Sequence, residues 1–344
     1  VIAYVVRRAG IGVVMLFTMA LVTFVLFFAP GNPAINQCGK FCTAEKIQQI
    51  SETYGYDQPV VVQFEKFAEG LFVGRDYPVN DAYRAQLVAN GHEDQVIHCA
   101  APCLGYSQHD ARTVNADIAK YAPVTVSLAV AAFVLWIVIG ILVGVLAAVF
   151  KGKWLDRAIV GVTLVVYALP TFFVGTFLLQ YVAIKWKAFP YPRYVDPLAT
   201  GDVRGWLVGL VLPAVTLALF YMAAYVRITR AFVLESMSED YIRTARAKGL
   251  PTRSVLFKHG FRAALTPLVS MAGLDFAGLL AGAIITETVF AYQGLGQLTV
   301  TANKNNDLPV LVGLVLLAGG AVIVMNIVVD VLYAYIDPRV RLRK

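Results

Sequence analysis

Residues Val124–Phe150 read VTVSLAVAAFVLWIVIGILVGVLAAVF, an apolar run without a single charged side chain. A helix rising 1.5 Å per residue needs about 20 such residues to cross roughly 30 Å of hydrocarbon. Five further stretches, 9–29, 158–183, 206–226, 264–287 and 309–335, meet the same test. Only helices and closed barrels satisfy their backbone polar groups inside a bilayer, and uninterrupted apolar runs exclude the alternation of a barrel strand. The expected fold is therefore all-α and polytopic, with six transmembrane helices. The composition agrees, because 58% of the 344 residues are hydrophobic and 15% are charged, against about a quarter charged in soluble domains. Arg7 and Arg8 before the first stretch resemble the head of a signal peptide. The apolar run is too long for one and no small-residue cleavage site follows, so it is read as a retained helix.

The basic residues orient the spans. With the N-terminus inside, the segments 1–8, 151–157, 227–266 and 336–344 hold 17 Lys and Arg, and the short outer loops 184–205 and 288–308 hold 5. That asymmetry follows the positive-inside rule and places both termini in the cytoplasm. The net charge of +7 then faces anionic inner-leaflet lipid, and no nucleic acid is needed to explain it.

Segment 30–120 is too long for a connector and is expected to form an extracytoplasmic lobe between helices 1 and 2. The organisation read here is thus 1–29 as N-terminus and first helix, 30–120 as lobe, and 121–344 as membrane core with a cytoplasmic loop at 227–266. The lobe holds Cys38, Cys42, Cys99 and Cys103. Four cysteines on an oxidising face suggest two disulfides, and local pairs Cys38–Cys42 and Cys99–Cys103 are favoured over the other two pairings because each pair is close in the chain. A four-thiolate zinc site and a free-thiol role are the alternatives.

The cytoplasmic loop is basic and amphipathic. Ser236-Met237-Ser238-Glu239 fits a capping box for a helix from about 238 to 248, with Asp240 in its first turn. Gly249 suits the left-handed residue past its end, and Pro251 the first turn of a second helix carrying Val255, Leu256, Phe257 and Phe261. Two readings are open: a knob that docks in a partner's groove, and an interfacial helix resting on anionic lipid.

The segment Arg243-Thr244-Ala245-Arg246-Ala247-Lys248-Gly249 resembles the EAA loop of ABC importer permeases, in the version found in the dipeptide/oligopeptide and nickel family. Ala245 and Gly249 match that loop's general pattern; Arg243 and Thr244 replace its Glu-Ala. Tyr4-Val-Val-Arg7-Arg8 followed by Pro30-Gly31-Asn32-Pro33 resembles the first helix of the B-type subunit, with Asn32 where Asp is usual. Glu287-Thr-Val-Phe290-Ala-Tyr-Gln-Gly294-Leu-Gly296 and Val329-Asp330-Val-Leu-Tyr333-Ala-Tyr-Ile-Asp337-Pro338-Arg339-Val-Arg341 are similar to that family as well. The resemblance covers about 1–33 and 120–344. It implies a type I importer permease fold in a bacterial cytoplasmic membrane. It also implies a C-type permease partner, two cytoplasmic ATPases that bind ATP and Mg, and an extracytoplasmic substrate-binding protein that delivers peptide. The coupling helix would then comprise Arg243 to Gly249, with Val255, Leu256 and Phe257 giving apolar contact. The chain itself has no phosphate-binding Gly-x4-Gly-Lys-Ser/Thr loop, so it is expected to bind no cofactor and not to be an enzyme.

Polar groups inside the spans mark the transport path. A carboxylate at mid-span costs about 2.5–3.5 kcal/mol on insertion scales, so Asp275 faces protein or water. It is read as a path or gate carboxylate, or as a packing partner of a backbone donor or basic group. Glu287, before an expected re-entrant segment at 288–300, is read as a gate near the mouth or as a surface carboxylate. Asn326 and Asp330, one turn apart, are read mainly as packing residues, and Pro170 as a kink in the third span. Nickel or another small solute is an alternative cargo. A channel or ion-coupled carrier is an alternative class, disfavoured by the absence of an inverted repeat.

Overall fold

The computed structural model describes residues 2–28, 33–38 and 43–336. Helix α1 spans Ile2–Phe28, followed by α2 Pro33–Cys38, α3 Ala44–Tyr54 and α4 Val60–Val73. Strand β1 (Arg75–Tyr77), α5 (Asp81–Ala89), and strands β2 (Ile97–Cys99), β3 (Tyr106–Ser107) and β4 (Arg112–Thr113) come next. The long α6, Val114–Val149, leads to α7, Trp154–Ala168, and α8, Thr171–Phe177, which continues in wider π-type turns to Lys185. After α9 (Pro197–Thr200), α10 runs from Val203 to Ser236. Then come α11 (Asp240–Ala247), α12 (Thr252–Ser254), α13 (Arg262–Leu280), α14 (Ile284–Val289), α15 (Leu295–Lys304) and α16 (Leu308–Ile336).

Among the described residues five helical stretches are long and apolar enough to cross a membrane, and the bent pair α7–α8 makes a sixth when counted as one broken span. The six apolar stretches read from the sequence therefore stand as helices, with three changes. The third bends at Pro170 as expected, but by 93°, which breaks it into two helices. Leu169 and Pro170 both take extended backbone there, with Pro170 capping α8, because proline cannot continue the hydrogen-bond ladder of α7. The fifth stops at Leu280, and its expected last turn is the separate α14. Helix α10 runs ten residues past the expected end at 226, because Arg227 and Arg230 end the apolar pattern without ending the helix.

The described chain divides into two compact units. One contains 124–293 with 321–336. In its core Trp136 of α6 is fully buried and stacks on Tyr221 of α10, ring centroids 4.6 Å apart. Helices α6 and α10 meet at Gly140 and Gly144, a small-xxx-small spacing that lets backbones approach. A Cβ on Gly144 would lie 2.6 Å from the Thr229 Cβ and 2.8 Å from the Val226 carbonyl oxygen; on Gly140 it would lie 2.8 Å from the Tyr225 Cβ. Gly144→Val is accordingly expected to destabilise the chain by about 1–3 kcal/mol through overpacking. A thermal-unfolding midpoint equal to that of wild type in detergent would refute this account of the α6–α10 seam.

The other unit contains 6–123 with 294–320. Ala20, Phe24 and Phe28 of α1 bury with Phe67 of α4, Leu295 and Leu298 of α15, and Val310 and Leu314 of α16. Its polar part carries two antiparallel ribbons, β1–β2 and β3–β4, and a stack of Tyr54, Tyr77 and Tyr106. Ser107 donates to the buried carboxylate of Asp307, tying the second ribbon to the start of α16. Burial holds the Asp307 carboxyl above the usual carboxylate range against the opposing Ser107 bond. Cys99 and Cys103 form a disulfide, Cα atoms 5.5 Å apart, as the local pairing anticipates, and this removes two of the four thiolates that zinc would need. The Cys38–Cys42 pairing lies outside the described residues, as do Pro30-Gly31-Asn32 and the 337–344 tail.

Candidate functional site

The basic loop folds as a two-helix knob on the end of α10. Helix α11 opens at Glu239, whose side chain makes no capping bond, with Asp240 in the first turn. The expected capping box is therefore absent. Ser236 is instead the last residue of α10, and its buried hydroxyl donates to the Gly260 carbonyl at 2.8 Å and lies 2.7 Å from the Tyr241 hydroxyl. Ser236 is still helical, and the cap position of α11 falls three residues later at Glu239, so the Ser236 hydroxyl is not placed to accept from the first amides of the next helix. Gly249 follows α11 with φ +74°, a left-handed conformation that a Cβ would disfavour. The Leu250 amide donates back to the Ala245 carbonyl, the long bond of a Schellman-type ending. Pro251 sits one residue before α12, as its cap rather than inside its first turn.

The knob has its own small core. Ile242, Ala245 and Val255 are buried against one another with Met237 beside them. Leu256 is buried differently, against Val145 and Ala148 of α6 and Val233 of α10. Val255 and Leu256 thus hold the knob together and to its base, and Phe257, 56% exposed, is the apolar member of the trio that faces outward. Arg243, Thr244, Arg246, Ala247, Lys248 and Gly249 are all exposed, whereas Ala245 is buried. The Arg243–Asp240 pair at 3.3 Å is exposed on both sides, so it contributes little. From Thr252 the chain stays helical through π-type turns, Val255–Phe261, straight into α13.

Beneath the knob, Asp156 in the first turn of α7 is buried. Its carboxylate accepts from Arg230 Nε at 2.6 Å and Nη2 at 2.8 Å, and from the Gly152 amide at 2.9 Å. This bidentate pair joins the α6–α7 turn to α10. Nothing in the local sequence pattern points to it, because the partners are 74 residues apart.

Asp275 lies half-buried on α13 and accepts a 2.6 Å hydrogen bond from the Tyr225 hydroxyl of α10. Its partner is thus a phenol. Glu287 is fully buried, not a surface group: Thr125 Oγ1 donates to it at 2.8 Å and the Ala283 amide at 3.3 Å, so it clasps the α13–α14 break to the start of this unit's α6 segment. The expected re-entrant segment is two helices, α14 and α15, and Gly294 caps α15 with extended rather than left-handed backbone. His98 and His109 pair with Asp76 and Asp110 on the exposed lobe surface. No group of three metal-ligating side chains assembles among the described residues.

Two family models cover most of the chain. One, described as a binding-protein-dependent transport system inner membrane component, matches residues 140–342, and its N-terminal counterpart matches residues 1–129. A putative peptide transport system permease protein of Brucella abortus is 35% identical over 340 residues, 98% of this chain and 99% of the relative. A probable peptide ABC transporter permease protein of Sinorhizobium fredii is 32% identical over 339 residues, again 98% and 99%. The dipeptide transport system permease protein of Escherichia coli K12 is 31% identical over 364 aligned positions, 99% of each. With the two models matched over residues 1–129 and 140–342 and relatives at 31–35% identity over the whole length, the chain belongs to the family of inner-membrane components of binding-protein-dependent transport systems.

Proposed function

We propose that the chain forms half of the membrane pathway of an ATP-driven importer of di- or oligopeptides, and that the α11–α12 knob is the part on which cytoplasmic ATPases pull. The observation that carries this reading is the knob's construction. It has a core of its own, it is pinned to α10 by Ser236, and it turns outward the segment that resembles the coupling loop. The reading needs a second, C-type permease, two ATPase subunits that supply the ATP and Mg sites this chain lacks, and an extracytoplasmic binding protein. It places both termini and the 227–266 loop in the cytoplasm and the 30–120 lobe outside. The peptide cargo rests on the names of the relatives.

Arg243, Thr244, Ala247, Lys248 and Gly249 supply the docking surface, with Arg246 and Phe257 at its edge, while Ala245, Val255 and Leu256 shape it from within. Asp275 is assigned to the pathway, where its charge meets the amino group of a peptide. Glu287 is assigned as the fixed post of an outer gate, because its carboxylate is wholly enclosed. Asp275→Asn keeps an acceptor for Tyr225 and removes the charge. With the assembled complex in liposomes, it is expected to lower ATP-dependent dipeptide uptake about tenfold, about 1.4 kcal/mol, at an unchanged unfolding midpoint. Full uptake by this variant would make Asp275 a packing residue. ATP-dependent nickel uptake by wild type, with none of dipeptide, would transfer the cargo to the metal and sink the peptide reading.

A further inference from the structure

The knob has a second face. Between it, the end of α6 and the end of α10 lies an open cavity of about 780 Å³, within the range of small-molecule sites. Its walls are apolar, including Leu142, Leu146 and Val149 of α6, which are 65%, 42% and 52% exposed. Its rim carries Lys151, Arg246 and Arg253, and no Asp or Glu lines it. Among the described residues no carboxylate lies within ion-pair distance of these three cations.

Two features choose the occupant. The α6 wall reaches from Ile141 to Val149, so the cavity extends about 12 Å along a membrane-spanning helix at 1.5 Å per residue. A soluble subunit does not reach that depth, whereas an acyl chain lies there already. The cations cluster at the outer end of the same cavity, where a headgroup phosphate would sit, and basic pockets between spans on the cytoplasmic side take anionic headgroups. We infer that this cavity is a seat for one anionic phospholipid, its acyl chain against Leu142, Leu146 and Val149 and its phosphate among Lys151, Arg246 and Arg253. The side of the membrane rests on the proposed orientation; the binding itself does not, and it requires no transport to be seen.

The test is native mass spectrometry of the full chain in detergent, titrated with dioleoyl phosphatidylglycerol or dioleoyl phosphatidylcholine. Phosphatidylglycerol is expected to bind about tenfold or more tightly than phosphatidylcholine, a preference that shrinks with added salt. Lys151→Gln with Arg253→Gln is expected to erase the preference. Lys185→Gln with Arg204→Gln, at the far ends of their helices, is expected to leave it intact. The wild-type comparison stands without any variant: equal binding of the two lipids, or binding of neither, overturns the proposal and marks the cavity as a seat for protein or for any acyl chain. Displacement of the lipid by excess inorganic phosphate would overturn it too, by showing a site that reads phosphate alone.

Discussion

Gly249→Arg is expected to reduce ATP-driven uptake by far more than tenfold while the chain still folds. The two halves of that statement have separate causes. Gly249 adopts φ +74°, so any L residue there costs about 1–2 kcal/mol of backbone strain. A Cβ at this position meets no atom within 4 Å, so the side chain adds no clash inside the chain. It projects instead from the proposed docking surface, into the space a docked ATPase would fill. Gly249→Ala carries the same strain with almost no projection and separates the two causes. Uptake, ATPase co-purification and unfolding midpoint are measured for both variants. The docking reading requires Ala to couple nearly as well as glycine and Arg to lose the ATPases. Equal uptake by Arg and Ala would end it.

The second large effect lies at the knob's base. Asp156→Ala leaves the Arg230 guanidinium without its bidentate partner. Removing one member of a buried pair costs about 3–5 kcal/mol, and the low end applies because Arg230 is 27% exposed beside an Asp156 only 5% exposed. The unfolding midpoint is expected to fall by roughly 6–12 °C, at 2–4 °C per kcal/mol for a domain of about 200 residues. Removing both partners is expected to recover part of that loss, since the two substitutions share one interaction. A fall of less than about 1 kcal/mol would class the pair with exposed surface bridges.

These effects differ in how far they could be read from residues alone. The spans were legible because crossing hydrocarbon imposes a length and a composition on contiguous residues. Gly249 was legible because a helix that must stop short and turn needs a left-handed residue. The Gly140 and Gly144 seam was also written in a local spacing, though the apolar pattern of α6 hides it. By contrast, Asp156–Arg230 and Thr125–Glu287 join residues 74 and 162 positions apart, and no local periodicity encodes such pairs. Ser236 shows the converse. Its spacing suits a cap, but α10 continues through it, and its hydroxyl donates to Gly260 from the end of that helix. The 93° break at Leu169–Pro170 was visible as a proline, but its size depends on what packs around it.

The chain that starts at Thr252 inside the knob reaches Leu280 without a loop, through the π-type turns at Val255–Phe261 and past Pro267. Its two ends are joined by continuous helical backbone, so a bias applied at one is felt at the other. In the proposed importer, whatever free energy the ATPase subunits spend through the knob to favour one pathway conformation, a solute that prefers this conformation must return as tighter engagement of those same subunits, by the same factor. On that proposal, cargo arrival is announced to the ATPases through the same helical connection that later carries the stroke.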